Sequence, residues 1–421
     1  MAIVNLAASL REWRAMLSAQ TLAAWKWDTA TGFFAGLYFG CVWTFVARVA
    51  RADLGATGAQ MGWIAAAPAV GYLFATVWAR QMEGRAKMPF VFWTWLIARG
   101  MFMLTPLVHT REQFVILVCI TTFIFSVSTP AYTAIMKDVY PDASRGRLMS
   151  AVRIVMSVMT FLTALTVGRL LDSHLLRFQT AFCLGGLFGA ISAWTFSRIP
   201  VSPPDPNLQT NLSTGAFFRD TLNILQRNPG YRWFTASVFI YGFGNIIAST
   251  LYPIYQVDRF NITNTQVANL QNLAAIMTIV GFFFWGAFLD RRGPLMTVLV
   301  AVCIVCLMPL CYMLAWDIRL LYLAAAAGGL AMSGIELGYL NTTLLFAEPG
   351  RAAQYQALHS SFFGIRGSIA PHCAIPMMER MGAPGAFLAS FAIMLVGVLL
   401  QLLSMRHYRR RSGVSSTRQD D

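Results

Sequence analysis

Three charged side chains stand deep inside apolar stretches of this sequence: Glu336, Arg366 and Arg99. An unpaired charge at the centre of a bilayer costs at least about 2.5 kcal/mol, so such residues hold one another, a coupling ion or a polar solute. Glu336 precedes the end of its stretch at residue 346 by ten positions, a depth of about 15 Å at about 1.5 Å per helical residue. Arg366 lies thirteen positions into the next stretch, about 20 Å from the same end. Similar depth on consecutive helices predicts a Glu336–Arg366 ion pair, which either serves solute contact and coupling or locks two helices together. Ser333, Glu336 and Thr343 share one helical face and predict a polar wall.

The neutral polar residues extend this picture. Helical spacing puts Tyr241, Asn245 and Tyr252 on one face, Thr31 and Tyr38 on another, and Ser126, Thr129 and Thr133 on a third. Hydroxyls, amides and phenol rings with few charges suit a neutral or weakly polar organic solute. Arg99 has no acid at its depth in the first half, and reads as a structural arginine held by carbonyls or an interhelical polar group in preference to an anion ligand. Arg153, about one turn into its helix, is placed to snorkel or to meet Asp290. His359 and His372 read as packing residues. The sequence carries no nucleotide-binding glycine loop, no Ser/His/Asp constellation and no metal set, so neither an enzyme nor a cofactor is expected. Cys303 and Cys306 have metal-ligand spacing but lie in an apolar helix with no acid or His nearby, where cysteine acts as a small hydrophobe.

The elements that must position these residues are membrane helices. Of 421 residues 57% are hydrophobic and 12% charged, against roughly 25% charged in soluble domains. A crossing helix needs about 20 mainly apolar residues. Twelve stretches qualify: 29–49, 60–79, 89–108, 113–136, 148–171 and 178–197, then 231–252, 266–289, 295–315, 319–346, 353–378 and 385–405. The expected fold is therefore an all-α polytopic membrane protein. Its N-terminal six-helix bundle spans 29–197 and its C-terminal one 231–405, both set in membrane lipid. Arg11, Glu12 and Arg14 interrupt any signal-peptide core in segment 1–28, where Leu6, Leu10, Trp13 and Leu17 predict a surface helix. The linker 198–230 holds Pro200, Pro203, Pro204 and Pro206, followed by a segment with Phe217, Phe218, Leu222 and Leu225 that predicts an interfacial helix. The tail 406–421 is basic and faces anionic headgroups.

The formal net charge of +14 is a matter of topology and not of nucleic-acid binding, because the basic residues sit in short loops between apolar stretches. With both termini in the cytoplasm, 21 of the 32 Lys and Arg are cytoplasmic, 8 are outside and 3 lie within helices. The positive-inside rule selects that orientation, which suits a bacterial inner membrane. A single interval of 206 residues separates Gln60 from Gln266, Arg145 from Arg351, Trp27 from Trp233 and Gly36 from Gly242. Such a repeat implies two halves related by an axis along the membrane normal. Gly32, Gly36 and Gly40, with Gly185 and Gly189, read as helix-packing surfaces.

Between the eighth and ninth stretches stands Gly286-Ala-Phe-Leu-Asp290-Arg291-Arg292-Gly293, where Gly286 admits a close helix and Gly293 reverses the chain. This pattern, with the duplication, resembles the cytoplasmic loop signature of the major facilitator superfamily over nearly the whole chain. The resemblance implies a secondary transporter for a small molecule, working by alternating access, with a proton or sodium ion as the candidate coupling ion. Helices one, four, seven and ten would line the path, which makes Tyr38, Ser126, Thr129, Tyr241, Asn245, Ser333 and Glu336 cavity candidates, with Arg366 of the eleventh added as the residue that matches Glu336 in depth. It also makes Gly286, Asp290, Arg291 and Gly293 a gating loop that docks at the start of the fifth helix near Leu148, with Arg147 and Arg153. The first half departs from this, with Gln81 where the acid should stand, so its grip on the eleventh helix near Arg351 is expected to be weaker unless Glu83 substitutes. The fourth helix lacks a membrane arginine, and the fifth has only Gly168 where many exporters carry a glycine- and proline-rich signature. An exporter of hydrophobic compounds and a transport-inactive receptor or assembly partner are the alternatives.

Overall fold

The computed structural model describes residues 17–74, 77–78, 81–82, 85–201, 203, 223–347 and 352–411. The expected surface helix near the N-terminus, most of the proline-rich linker and the tail, and Glu83, Gly84 and Arg351 lie outside these residues. Among the described residues the structure is helical, with no strand. In chain order, α1 is Ala19–Asp53, α2 Gly58–Leu73, α3 Met88–Leu107 and α4 Arg111–Val139. They are followed by α5 Asp142–Asp172, α6 Phe178–Phe196, α7 Pro229–Phe260 and α8 Asn264–Arg292. Next come α9 Pro294–Met313 and α10 Ile318–Phe346. A last run, Ala352–Arg411, passes through Gly382 at φ 72°, which separates α11 (352–381) from α12 (383–411).

Nine helical stretches among the described residues are long and apolar enough to cross a membrane, where the sequence predicts twelve crossings. The difference has local causes. The stretch Leu358–Tyr408 is 51 residues long and contains the break at Gly382. The described part of α2 stops after 16 residues, and α6, 19 residues long, is not among the nine.

Hydrogen bonding explains where the helices begin. In α8 the Thr263 hydroxyl accepts from Gln266 N at 3.2 Å while the Gln266 side chain accepts from Thr263 N at 3.0 Å. The same reciprocal cap opens α2, with Gln60 N to Thr57 Oγ1 at 3.3 Å and Thr57 N to Gln60 Oε1 at 2.8 Å. The repeat of Gln60 and Gln266 is thus a repeat of capping boxes, each satisfying amides that a bare helix start leaves open. Thr110 and Gln113 form a third box, on α4.

The chain divides into two compact units, Met1–Val46 with Phe74–Thr210 and Ala47–Leu73 with Asn211–Asp421. Sequence places the break in the linker, yet residues 47–73 group with the second unit because α2 packs along α11. Gly58 faces Ile375, Gly62 faces Pro371, Gly364 faces Leu73, Gly367 faces Ala69, and the Trp63 ring meets the His372 ring at 4.4 Å. In the first unit, Gly32, Gly36 and Gly40 of α1 bring α5 against them at Val152, Met156 and Thr163, and Gly185 of α6 meets α1 at Cys41 and Val42. Its aromatic core gathers Trp95, Tyr140 and Phe196. The second unit's core gathers Trp285, Phe234, Tyr231 and Tyr355. On α8, Ile276, Ile279, Val280, Phe283 and Phe284 are exposed at helical spacing, an apolar stripe suited to lipid.

Close packing of α8 on α10 rests on Gly329, where a Cβ would overlap the Ala274 backbone carbonyl. Gly329→Ala is expected to lower the thermal unfolding midpoint in detergent, by the equivalent of about 1–3 kcal/mol of overpacking. Gly100→Ala, which meets no atom within 4 Å, should leave it unchanged or raise it.

Candidate functional site

In the first unit the buried polar groups form short local networks. Arg99 is 2% exposed; its guanidinium donates to the Ser192 hydroxyl of α6 and lies 3.9 Å from the Trp95 ring centroid. This is the interhelical polar partner expected for it, with cation–π stabilisation added. Tyr38, a cavity candidate, is buried beside Arg99, its ring 5.6 Å from the guanidinium, and its hydroxyl accepts from Trp43 Nε1 at 2.9 Å. Ser126 is buried with its hydroxyl returned to the Phe123 carbonyl at 2.7 Å, while Thr129 is half-buried. The residue that sequence reasoning missed is Asp28. It is 4% exposed, the one buried carboxylate among the described residues, and accepts a 2.7 Å hydrogen bond from the Tyr140 hydroxyl. A first helix drawn from residue 29 left it outside; the Ser18 cap, which starts the helix at Ala19, carries it inside.

In the second unit the expected Glu336–Arg366 pair is absent. Glu336 is exposed, and among the described residues no ion pair joins it to Arg366. Arg366, 5% exposed, instead donates to the Val238 carbonyl of α7 and lies 5.3 Å from the Phe363 ring centroid. Equal depth fixes height along the helices but not the direction each side chain takes around them. The polar wall also fails to form: Ser333 and Thr343 are buried, and the Ser333 hydroxyl bonds the Leu330 carbonyl at 2.9 Å. Tyr241 is buried with its ring 6.3 Å from that of Tyr339, Asn245 is half-buried, and Tyr252 stacks on Tyr312 at 4.1 Å.

The helix ends hold the remaining charges. Asp290, Arg291 and Arg292 are exposed in the last turn of α8, and Gly293 has φ 78°, the left-handed backbone expected of a chain reversal. Gly286 does not serve a close approach, because a Cβ there would meet no atom within 4 Å; on α8 that part falls to Gly281, against Ser333. Arg147 and Arg153 of α5 are exposed. At the opposite end of α8, about 43 Å away for 29 residues at about 1.5 Å each, stands a cluster that no sequence pattern announces. Arg51 Nε donates to Asp258 at 2.8 Å and its Nη1 to the Ala56 carbonyl at 2.7 Å, while Arg48 Nε reaches the Ile262 carbonyl at 2.9 Å. It joins the end of α1 to the end of α7 and was legible only in three dimensions, since its partners are 207 and 214 residues apart.

Solved structures of similar fold are membrane transporters. A point mutant of the nucleoside transporter NupG aligns with TM-score 0.72 at 14% identity, covering 91% of this chain and 100% of its own. A bacterial homologue of the human lysosomal transporter Spinster, in an inward-facing and unoccupied conformation, aligns with TM-score 0.66 at 14% identity over 94% of this chain and 98% of its own. The human organic anion transporter MFSD10 (TETRAN) aligns with TM-score 0.62 at 14% identity over 91% and 100%. No curated protein matches the sequence. Residues 29–371 match the Major Facilitator Superfamily, which agrees with the helical fold, the repeat and the Asp290 loop. The chain belongs to that superfamily and is a membrane transporter, not an enzyme.

Proposed function

We propose that this protein is a twelve-helix secondary transporter that moves a small organic solute by rocking two halves around a site near the bilayer midplane. The observation that supports it best is the duplicated architecture, with matching capping boxes at Thr57/Gln60 and Thr263/Gln266. A gradient of the solute itself, or of a proton or sodium ion, drives the cycle. Asp28 is the group suited to carry a proton, as a buried carboxylate with a phenol partner. Untargeted metabolite comparison of deletion and overexpressing cells nominates the solute, and counterflow in vesicles tests its movement. A protein that binds the solute but exchanges none would be a receptor and not a carrier.

The cytoplasmic gate in this reading is the Asp290 loop, whose carboxylate docks on the N-terminus of α5 beside Arg147 and Arg153 when that side closes. A carboxylate at a helix N-terminus gains about 0.3–1 kcal/mol, up to about 2 when partly buried. The first half has Gln81 in place of the acid, so its grip is weaker.

Reporter fusions after Arg259 and at Asp421 should fall on opposite sides of a bacterial inner membrane, the latter in the cytoplasm; a shared side would refute the orientation. Asp290→Asn should raise cytoplasmic accessibility of cysteines placed at cavity positions far more than Gln81→Ala, since about 1.4 kcal/mol shifts a two-state equilibrium tenfold. Equal accessibility in the two would reduce the loop to a hydrophilic turn. Asp28→Asn should abolish uptake driven by an imposed pH gradient while counterflow persists, and undiminished uptake would remove Asp28 from the coupling path.

A further inference from the structure

Arg366 holds a position that does not call for charge. Thr160 stands 206 residues before it, and its hydroxyl donates to the Gly36 carbonyl at 3.2 Å, tying α5 to α1. Arg366 makes a comparable tie of α11 to α7, through the carbonyl of Val238, one turn before Gly242, where a methyl group would overlap the guanidinium. A neutral hydroxyl is therefore enough to join this pair of helices. A guanidinium in the same place, 5% exposed, carries a desolvation penalty that neutral partners do not offset.

The missing counter-charge is not supplied by the described residues around it. Arg366 has no ion pair among them, and its Nε has no hydrogen-bond partner. Its ionisable neighbours are Tyr241 of α7, Tyr339 of α10 and His359 of α11, none an acid. The Tyr339 ring meets the His359 ring at 5.1 Å, and Phe363, over the guanidinium, is 39% exposed. The ring that lies against the buried cation is therefore itself partly exposed, and Tyr241 and Tyr339 stand near the same guanidinium.

We propose that Arg366 is the anion-recognition residue of the transported solute, an organic oxyanion (carboxylate, phosphate or sulfonate) with an apolar or aromatic body. The proposal rests on the transporter reading and narrows the solute, in place of the neutral one that the tyrosine-rich faces suggest. The oxyanion accepts from the free Nε–H, a charge-assisted bond of the kind guanidinium geometry favours. The rings of Tyr241, Tyr339 and Phe363 pack on the body of the solute.

The test is thermal unfolding of the purified full-length chain with benzoate, phenylphosphate and benzenesulfonate, each compared with neutral benzamide. At least one anion should stabilise the wild type where benzamide does not, and Arg366→Gln should weaken that anion's apparent binding by about tenfold or more, about 1.4 kcal/mol. Without anion, Arg366→Gln should unfold no earlier than wild type, and Arg366→Lys should retain part of the anion effect. The proposal fails if no anion exceeds benzamide, if the effect survives in Arg366→Gln, or if Arg366→Gln without anion is destabilised or does not fold, because the charge is then structural. Thermal shift reads binding alone, so its failure leaves alternating access standing, while an anion that binds through Arg366 but is not moved in vesicles removes the transport reading and keeps the site.

Discussion

Hydrocarbon offers a polar group nothing to bond, and that constraint runs through the whole molecule. Each backbone amide must find its partner inside its own helix, at a cap, or on a neighbouring side chain. The reciprocal Thr–Gln boxes at the starts of α2, α4 and α8 close the amides left open there. Hydroxyls within the helices return to carbonyls three or four residues back, as Ser126, Ser333 and Thr122 do. Such groups are polar by composition but already bonded, which makes them poor solute ligands unless a helix moves.

Because lipid is as apolar as leucine, the helices associate by close fit more than by hydrophobic exclusion. Gly36 admits α5 against α1, Gly329 admits α8 against α10, and Gly397 admits α7 against α12 at Tyr241. Fits of this kind leave little room for a large side chain. Gly242 is instructive because the room it makes holds the guanidinium of Arg366 and not a neighbouring backbone. Duplication kept the small residue and a donor-to-carbonyl tie between the helices, and changed the donor and moved the acceptor by one turn.

Charges in such a frame sort into two kinds. Those at helix ends reach water: Asp290 with its arginines at one end of α8, and the Arg51–Asp258 cluster beyond the other. Exposed pairs are worth about 0–1 kcal/mol, so they suit reversible contacts more than permanent ones. Asp28, Arg99 and Arg366 are buried, each satisfied differently: a phenol, a hydroxyl with aromatic faces, and a backbone carbonyl. Arg99 and Arg366 both leave Nε without a hydrogen-bond partner, and Arg366 differs in that the first half ties the equivalent helices with a neutral hydroxyl.

The sequence by itself determined the helical membrane class, the 206-residue repeat and the chain reversal at Gly293, because apolar run length, periodicity and glycine's left-handed backbone are local properties. It located Gln60 and Gln266 as equivalent, and folding gave the reason, two identical caps. Depth along a helix was legible from residue counting, but the direction of each side chain was not. Glu336 and Arg366 therefore looked like partners and are not, Ser333 turned inward against Gly281, and Gly286 was left with open space. Asp28 came inside only because a serine cap lengthened α1 past its apolar limit. Pairings such as Arg51 with Asp258 join residues 207 positions apart, and nothing but the packing of helix ends decides them.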